Sequence, residues 1–270
     1  MISALKSPLR YPGGKSRAIP RILERLPESF LEFREPFVGG GSVFIYIRQK
    51  FPAVKVWIND LNFDLYCFWK IAQSNTREFA GAITKIKNET KDGRGLFDEF
   101  RSSINKDLSD FDRAVRFFVL NRISFSGTVD SGGYSKAAYH SRFTHSSISR
   151  LLALEPLLQN VKITNLDYRD VIHETGNDVL IFLDPPYLAA TKSRLYGKNG
   201  DLHLGFEHAE FANEMKKCQH HWLITYDDSA EIRQNFSHAN LYEWELQYGM
   251  NNYKQNNAAK GKELFITNYP

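Results

Sequence analysis

Five consecutive apolar residues, Val179 to Leu183, run straight into Asp184-Pro185-Pro186-Tyr187. An unbroken apolar run is what a parallel strand buried on both faces requires, because helices cover either side of such a sheet. A chain built around this strand is an α/β protein, and the remaining sequence supplies the alternation. Phe33 to Val38 reads as a strand entering Gly39-Gly40-Gly41, and Ser42 opens an apolar, helix-like stretch from Val43 to Ile47. Val54 to Ile58 is a second strand, ending at Asn59-Asp60, and Leu61 to Ala72 is helical. Val161 to Leu166 ends at Asp167. Phe206 to Lys217 reads as a helix, with Trp222 to Tyr226 and Glu263 to Asn268 as late strands. Ahead of all these, Leu5 to Ser16 is a loop with Pro12, Gly13 and Gly14 as turn residues. Ser16 to Leu26 follows with Ile19, Ile22, Leu23 and Leu26 at helical spacing, and Pro27 ends it.

Residues 76–150 have a different character. Two glycine-rich loops, Lys91 to Gly95 and Gly127 to Gly133, flank Phe111 to Leu120, whose apolar spacing is helical. We expect an inserted, mainly helical module over 76–150, with 1–75 and 151–270 forming one α/β domain. Charge divides along the chain as well. Residues 1–150 hold 24 Lys/Arg and 15 Asp/Glu, a surplus of +9, whereas the remainder holds 11 and 16, or −5. This asymmetry suggests a polyanionic partner, the alternative being a solvated surface of uneven charge.

Composition narrows the class. The 270 residues are 42% hydrophobic and 24% charged, which are ordinary globular values and exclude a disordered, collagen-like or disulfide-scaffold protein. No apolar run reaches the roughly 20 residues of a membrane span. Met1 to Pro12 carries Lys6 and Arg10 without an apolar core of signal-peptide length, so a cytoplasmic chain is expected. Cys67 and Cys218 make neither a framework nor a metal pair. His203, His208, His220 and His221 are close in sequence, but no His-Glu-x-x-His or Cys-x-x-Cys accompanies them, and no metal is expected. The 20 Phe, 13 Tyr and 4 Trp serve either a packed core or stacking on bases.

Three places carry candidate chemistry. At Phe37-Val38-Gly39-Gly40-Gly41-Ser42, a strand, a glycine turn and a helix start bring backbone close to a ligand. Asp60 stands about 20 residues on, a spacing at which a carboxylate can take a ribose hydroxyl. The alternative is a turn that only serves chain geometry. At Arg10 to Ser16, Gly14-Lys15-Ser16 matches the end of a phosphate loop, but Leu9 stands where that pattern needs glycine. The loop instead presents Lys15 to a carboxylate or phosphate, or is a surface turn. At Asp184 to Tyr187, two prolines without N–H donors leave a stiff turn of acceptors beside a flat aromatic face, which suits a planar base with an exocyclic amine.

Asp184-Pro185-Pro186-Tyr187, the loop from Tyr11 to Ser16 and the turn from Phe37 to Gly41 together resemble the Dam family of DNA adenine-N(6) methyltransferases. Their order along the chain matches that family too. Phe118 to Arg122 followed by Phe125-Ser126-Gly127 is similar to the start of its DNA-recognition module, and Asn165 to Tyr168 to its cofactor-adenine turn. Leu223 to Asp228 and Lys262 to Asn268 resemble its late strands, so the likeness covers nearly the whole chain. It implies a Rossmann-like methyltransferase sheet with helices on both faces. It also implies S-adenosylmethionine as cofactor and methyl transfer to the amine of a flipped-out adenine in double-stranded DNA.

The implied cofactor residues are Tyr11, Gly14, Lys15, Phe37, Gly39, Gly40, Gly41, Ser42, Asp60, Asp167, Tyr168 and Asp184. The implied catalytic residues are Asp184, Pro185, Pro186 and Tyr187. Asn121, Arg122, Ser126, Tyr134, Lys136 and Arg142 are implied for DNA, with pairing of Arg122 to an internal carboxylate as the alternative. Thr128 onward departs from the Arg-Tyr-Asn-like run of members that read GATC, which counts against that site. A monomer is expected. The same turn also occurs in RNA-base amine methyltransferases, and a non-catalytic DNA-binding protein on this scaffold is a further alternative.

Overall fold

Residues 5–11, 13–103, 106–129, 131–188, 205–246 and 261–270 are described here from a computed structural model of the chain. A 3-10 turn at Lys15–Arg17 leads into a short helix, α1 (Ile19–Leu23). Strand β1 (Glu32–Glu35), α2 (Ser42–Lys50), β2 (Lys55–Asn59) and α3 (Phe63–Ser74) then alternate. A run of helices follows: α4 (Thr76–Glu89), α5 (Gly93–Ser102), α6 (Asp110–Ile123), α7 (Lys136–Arg142) and α8 (His145–Leu158). The alternation resumes with β3 (Lys162–Thr164), α9 (Tyr168–His173), β4 (Val179–Leu183) and α10 (His208–Lys217). Strand β5 (His221–Asp227), α11 (Ala230–Asn235), β6 (Asn240–Leu246) and β7 (Gly261–Thr267) complete it.

The strands form one mixed sheet in the order β3-β2-β1-β4-β5-β7-β6. Pairs from β3 through β5 are parallel, and β7 runs antiparallel to β5 and β6. From β1 the chain moves outward through β2 to β3, then crosses back to β4 and proceeds to β5. β1 and β4 are therefore neighbours where the strand order reverses, and a crevice opens beyond their C-terminal ends.

The buried run in β4 behaves as its composition requires. Leu180 and Phe182 join one apolar cluster, with Phe33, Leu223 and Phe265. Val179, Ile181 and Leu183 join a second on the other face, with Trp222, Ile224, Leu264 and Ile266. Polar residues punctuate the helices. Asn62 accepts from Leu65 N to start α3, Ser109 accepts from Asp112 N to start α6, and Thr144 with Ser147 makes a reciprocal cap on α8.

Several sequence expectations change. The stretch from Ser16 to Leu26 folds as a 3-10 turn and a five-residue helix, not one continuous helix. Of the loop expected over Lys91 to Gly95, Gly93 to Gly95 instead open α5, and Asp92 caps it by accepting from Arg94 N (2.9 Å) and Gly95 N (3.0 Å). β6 was not anticipated, although Asn-Leu-Tyr-Glu-Trp-Glu-Leu alternates as an edge strand does. Its Trp244 stacks on Phe265 of β7 with centroids 4.5 Å apart.

The helical segment is joined to the sheet by a shared core. α3 packs against α6, Phe68 stacks on Phe118 at 6.1 Å, and one apolar cluster runs from Phe33 through Trp69 to Ile148. α8 itself continues across residue 150 to Leu158. No described helix is long and apolar enough to cross a membrane. Pro12 and His203 lie outside the described residues.

Candidate active site

The crevice is a cavity of about 960 Å³, reached by the Tyr11–Lys15 loop, the glycine turn, the ends of β2 and β4, and the start of α9. The glycine turn exists because of close approach. Gly39 and Gly41 have positive φ values, 46° and 68°. A Cβ on Gly39 would stand 2.8 Å from Tyr11 Cε1, and one on Gly40 would stand 2.7 Å from Tyr11 Cβ. Tyr11 thus lies directly on bare backbone. A Cβ on Gly41 would meet the Trp69 ring at 2.7 Å.

Asp60, just past β2, ties this turn down. Its Oδ2 accepts from Gly39 N and its Oδ1 from Asn62 N, each at 3.0 Å. Burial pushes its carboxyl up to about 6, against the pull of those two N–H groups. Glu35, at the end of β1, is almost fully enclosed and accepts from Phe44 N (2.9 Å) near the start of α2. Burial holds it well above the ordinary carboxylate range. Phe44 N opposes that shift, and the charges of Asp184 and Asp60 add to it. Eight carboxyl groups line the cavity against Lys15, Arg169 and Lys262, so even with Glu35 in its neutral form the balance favours a ligand that brings positive charge.

Aromatic rings make the opposite wall. Phe37 lies 5.5 Å from Tyr168 and 5.9 Å from Phe206, and Tyr168 lies 6.0 Å from Phe206. Asp167 lines the same cavity, but its carboxylate is engaged. It caps α9 through Arg169 N (2.9 Å) and pairs with the Arg169 guanidinium (2.8 Å), whose hydrogen bonds hold it below the usual range. Ser42 and Gly14 also line the cavity. Gly14 N closes a turn onto Tyr11 O at 3.0 Å.

At the end of β4, Asp184 faces Lys15. The buried Lys15 Nζ is 2.7 Å from Oδ1 and 2.8 Å from Oδ2, and it also donates to Gly13 O (3.0 Å). Thr225 Oγ1 of β5 donates to Asp184 Oδ1 at 2.8 Å. A carboxylate offers about four acceptor positions, so capacity remains on Oδ2 for one further donor. The Pro185 carbonyl accepts no hydrogen bond among the described residues. Lys15 Nζ sits 4.8 Å from the centre of the Tyr187 ring, which stacks on Tyr226 at 5.7 Å. Acceptors, an aromatic face and the loop that carries Lys15 therefore converge at one point.

The residues expected to face DNA divide into two groups. Asn121 is fully enclosed. Its Oδ1 accepts from Arg10 N (2.9 Å), and its Nδ2 donates to Arg10 O (2.6 Å) and Gly127 O (3.0 Å). Arg122 is also buried and donates to Arg142 O (2.7 and 2.9 Å) and Pro8 O (3.0 Å). It pairs with backbone carbonyls, not with a carboxylate. Both residues brace the loop that carries Tyr11 and Lys15. Lys136 and Arg142 are exposed, and Ser126 (φ 54°) and Tyr134 are half-buried. Phe125 is 67% exposed, more than any other large apolar side chain described; it falls inside the Phe125-Ser126-Gly127 stretch that resembles the recognition module but is not among the residues that stretch implies for DNA.

Glu35, Thr225, Phe206 and Glu263 also shape the site and were not anticipated. Thr225 and Glu263 do fall inside the late-strand stretches that resemble the family. His208 is buried and meets the Tyr226 hydroxyl, and His220 faces Glu174 O (2.9 Å).

A family model described as D12 class N6 adenine-specific DNA methyltransferase matches residues 11–250. Type II methyltransferase M.MjaIII of Methanocaldococcus jannaschii is 29% identical over 203 residues, covering 68% of this chain and 70% of that protein. Type II methyltransferase M1.LlaDCHI of Lactococcus lactis subsp. cremoris is 23% identical over 279 residues, covering 96% and 94%. The DNA adenine methylase of Escherichia coli K12 is 27% identical over 248 residues, covering 87% and 85%.

Proposed function

Because the chain belongs to the D12 class of N6 adenine-specific DNA methyltransferases, we propose that S-adenosylmethionine and the target adenine meet in the crevice beyond β1 and β4. The chain methylates adenine in DNA, as its family does. The observation that carries the placement is the convergence of Asp184, the Pro185 carbonyl and the Tyr187 ring at the mouth of the crevice.

The crevice suits the cofactor. Its volume is at the upper end of the roughly 300–1,000 Å³ usual for ligand sites, enough for a nucleoside cofactor and a base together. Its surplus of acidic over basic lining residues matches a ligand with a sulfonium and an ammonium group. When bound, S-adenosylmethionine supplies an electrophilic methyl group. Phe37, Tyr168 and Phe206 cover its adenine, with Asp167 at the edge. Asp60 accepts from the ribose hydroxyls. Gly39, Gly40, Gly41 and Ser42 pass beneath, and Tyr11, Gly14 and Lys15 close over the methionine end.

Adenine's amine is not reachable inside the stack, so the base is flipped out. Tyr187 stacks on it while Asp184 Oδ2 and the Pro185 carbonyl accept from the two amine hydrogens. Those bonds draw the nitrogen lone pair out of conjugation and aim it at the methyl group. Pro186 keeps the turn rigid. Alignment of this kind supplies several kcal/mol of barrier lowering. Direct transfer from a sulfonium needs neither a covalent intermediate nor a metal.

The helical segment 76–150 serves as the DNA-recognition module. Asn121 and Arg122 hold its loop in shape, which leaves direct contact to Phe125, Ser126, Tyr134, Lys136 and Arg142. Replacing Lys136 or Arg142 with alanine is expected to reduce the slope of log affinity against log salt by about 0.9 for each phosphate no longer neutralised. An unchanged slope in a salt titration would remove that residue from the interface.

The Asp60 assignment has a pH signature. The ionised carboxylate accepts the ribose hydroxyls, and it is lost as pH falls through about 6. Cofactor affinity is expected to fall up to about tenfold per pH unit below that point. Folding stability takes the opposite sign, because the raised carboxyl favours the protonated folded state. That contribution is present in full below the ordinary carboxylate range and is lost as pH rises through about 6. Calorimetric titration with the cofactor and thermal melts, each run from about pH 7.5 to about pH 5 and each compared with Asp60→Asn, measure the two separately.

The reading as a whole is tested by offering labelled S-adenosylmethionine with unmethylated duplex DNA and, separately, RNA of the same sequence. Label is expected in DNA. Label confined to RNA would place the module on a different substrate.

A further inference from the structure

The turn that carries Tyr187 is fastened to the sheet at two points that face each other. Asp227 on β5 and Glu263 on β7 are registered cross-strand partners. Asp227 Oδ1 accepts from Leu188 N at 2.9 Å, and Glu263 Oε2 accepts from the Tyr187 hydroxyl at 3.1 Å. Glu263 is only 1% exposed, and its neighbour across β6 is Trp244. Burying a carboxylate is costly unless it is hydrogen-bonded, so this one has a marked preference for a donor such as the Tyr187 phenol. Tyr226, beneath the Tyr187 ring, is itself held at its hydroxyl by His208 Nδ1.

We propose that Glu263 is a positioning residue for methyl transfer, fixing the Tyr187 ring through its hydroxyl. The inference rests on the reading that Tyr187 stacks on the target base. Two consequences follow from the geometry. The hydrogen bond removes rotational and translational freedom from a ring at the end of a loop, so the stacked base is held at a fixed distance from the methyl group. A phenol that donates to a carboxylate also carries more electron density on its ring. That face attracts the positive charge which moves from sulfonium to the amine as the methyl transfers. Glu263 touches neither ligand, and its effect reaches the reaction only through Tyr187.

The test is a double-mutant cycle in single-turnover methylation of duplex DNA, with Glu263→Gln, Tyr187→Phe, their combination and Tyr187→Ala. Glu263→Gln, whose amide oxygen still accepts but carries no charge, is expected to slow transfer about fivefold, the difference between a hydrogen bond to a charged and to a neutral acceptor. Its affinity for S-adenosylhomocysteine should stay within about twofold of wild type, because Glu263 acts only through Tyr187. Tyr187→Phe, which loses the bond altogether, should slow transfer at least as much, and the double variant should be no slower than Tyr187→Phe alone. Equal slowing by Glu263→Gln in both backgrounds would overturn the proposal, as would an unchanged rate. If Tyr187→Ala itself kept full turnover, the stacking reading would fail, an outcome distinct from failure at Glu263 alone. Should Glu263→Gln not fold, as judged by its melting curve, Tyr187→Phe carries the test. A wild-type rate there would overturn the proposal.

Discussion

Asp184→Asn is expected to lower methyl transfer by about a thousandfold, near 4 kcal/mol of transition-state stabilisation. The substitution keeps size and shape but puts an amide where a carboxylate now receives Lys15 and Thr225. One acceptor disappears, and the amide presents N–H groups toward an amine that needs acceptors. The interaction removed matters most as the amine becomes positive, so the effect falls on kcat and not on binding. The variant also gives up the ion pair with Lys15, whose Nζ keeps the Gly13 carbonyl as a partner. Asparagine is preferred over alanine because alanine would leave a buried ammonium facing a void, confusing impaired chemistry with impaired stability. Rapid-quench kinetics and titration with S-adenosylhomocysteine measure the two effects separately. Near-wild-type turnover would remove Asp184 from the chemistry.

Gly39→Val is expected to weaken cofactor binding by about a hundredfold and to lower stability by about 2 kcal/mol or more, since a β-branched residue is strained at positive φ. The φ of Gly39 is 46°, and its Cβ would press on Tyr11 Cε1 at 2.8 Å and Cδ1 at 3.1 Å. Relief requires the turn to rotate, which breaks the Gly39 N to Asp60 bond and the Trp69 Nε1 to Gly39 O bond (3.2 Å). Three features of the crevice wall therefore fail together: the turn, the packing of Tyr11 on it and the Asp60 orientation. Gly40→Ala separates the two causes, since Gly40 has no positive φ but its Cβ would meet Tyr11 Cβ at 2.7 Å, so the Tyr11 backbone must shift while the turn keeps its conformation. Calorimetry and thermal melts of the two variants give the contrast. Equal, small effects at both positions would mean that the ligand does not lie on this turn.

Much of the architecture was legible because its signals are local. The apolar run at β4, the glycines at 39–41 and the acidic ends of β2 and β4 each follow from a strand that must be buried or a turn that must be tight. The sequence could not place Asn121 and Arg122. Their residue types suit a phosphate or a base edge, yet their donors and acceptor meet backbone carbonyls and an amide contributed by Pro8, Arg10, Gly127 and Arg142. Those partners are up to 114 residues distant, and side-chain pairing over such a span leaves no periodicity to read. Glu263 was hidden for a related reason. It sits in a strand whose following residues are apolar, and its partner Tyr187 lies 76 residues earlier. β6 could have been recognised from its alternation. α5 was obscured by its two glycines, which only the Asp92 cap makes compatible with a helix start.

The central claim is that Asp184, the Pro185 carbonyl and Tyr187 direct a methyl group onto the exocyclic nitrogen of adenine. Nucleoside mass spectrometry on duplex DNA methylated by the purified chain tests this most directly. The product should be N6-methyladenine, and its initial rate of formation should fall about a thousandfold when Asp184→Asn is used at the same concentration with cofactor binding intact. N4-methylcytosine or a ring-methylated base as the product, or N6-methyladenine formed equally well by the variant, would contradict it.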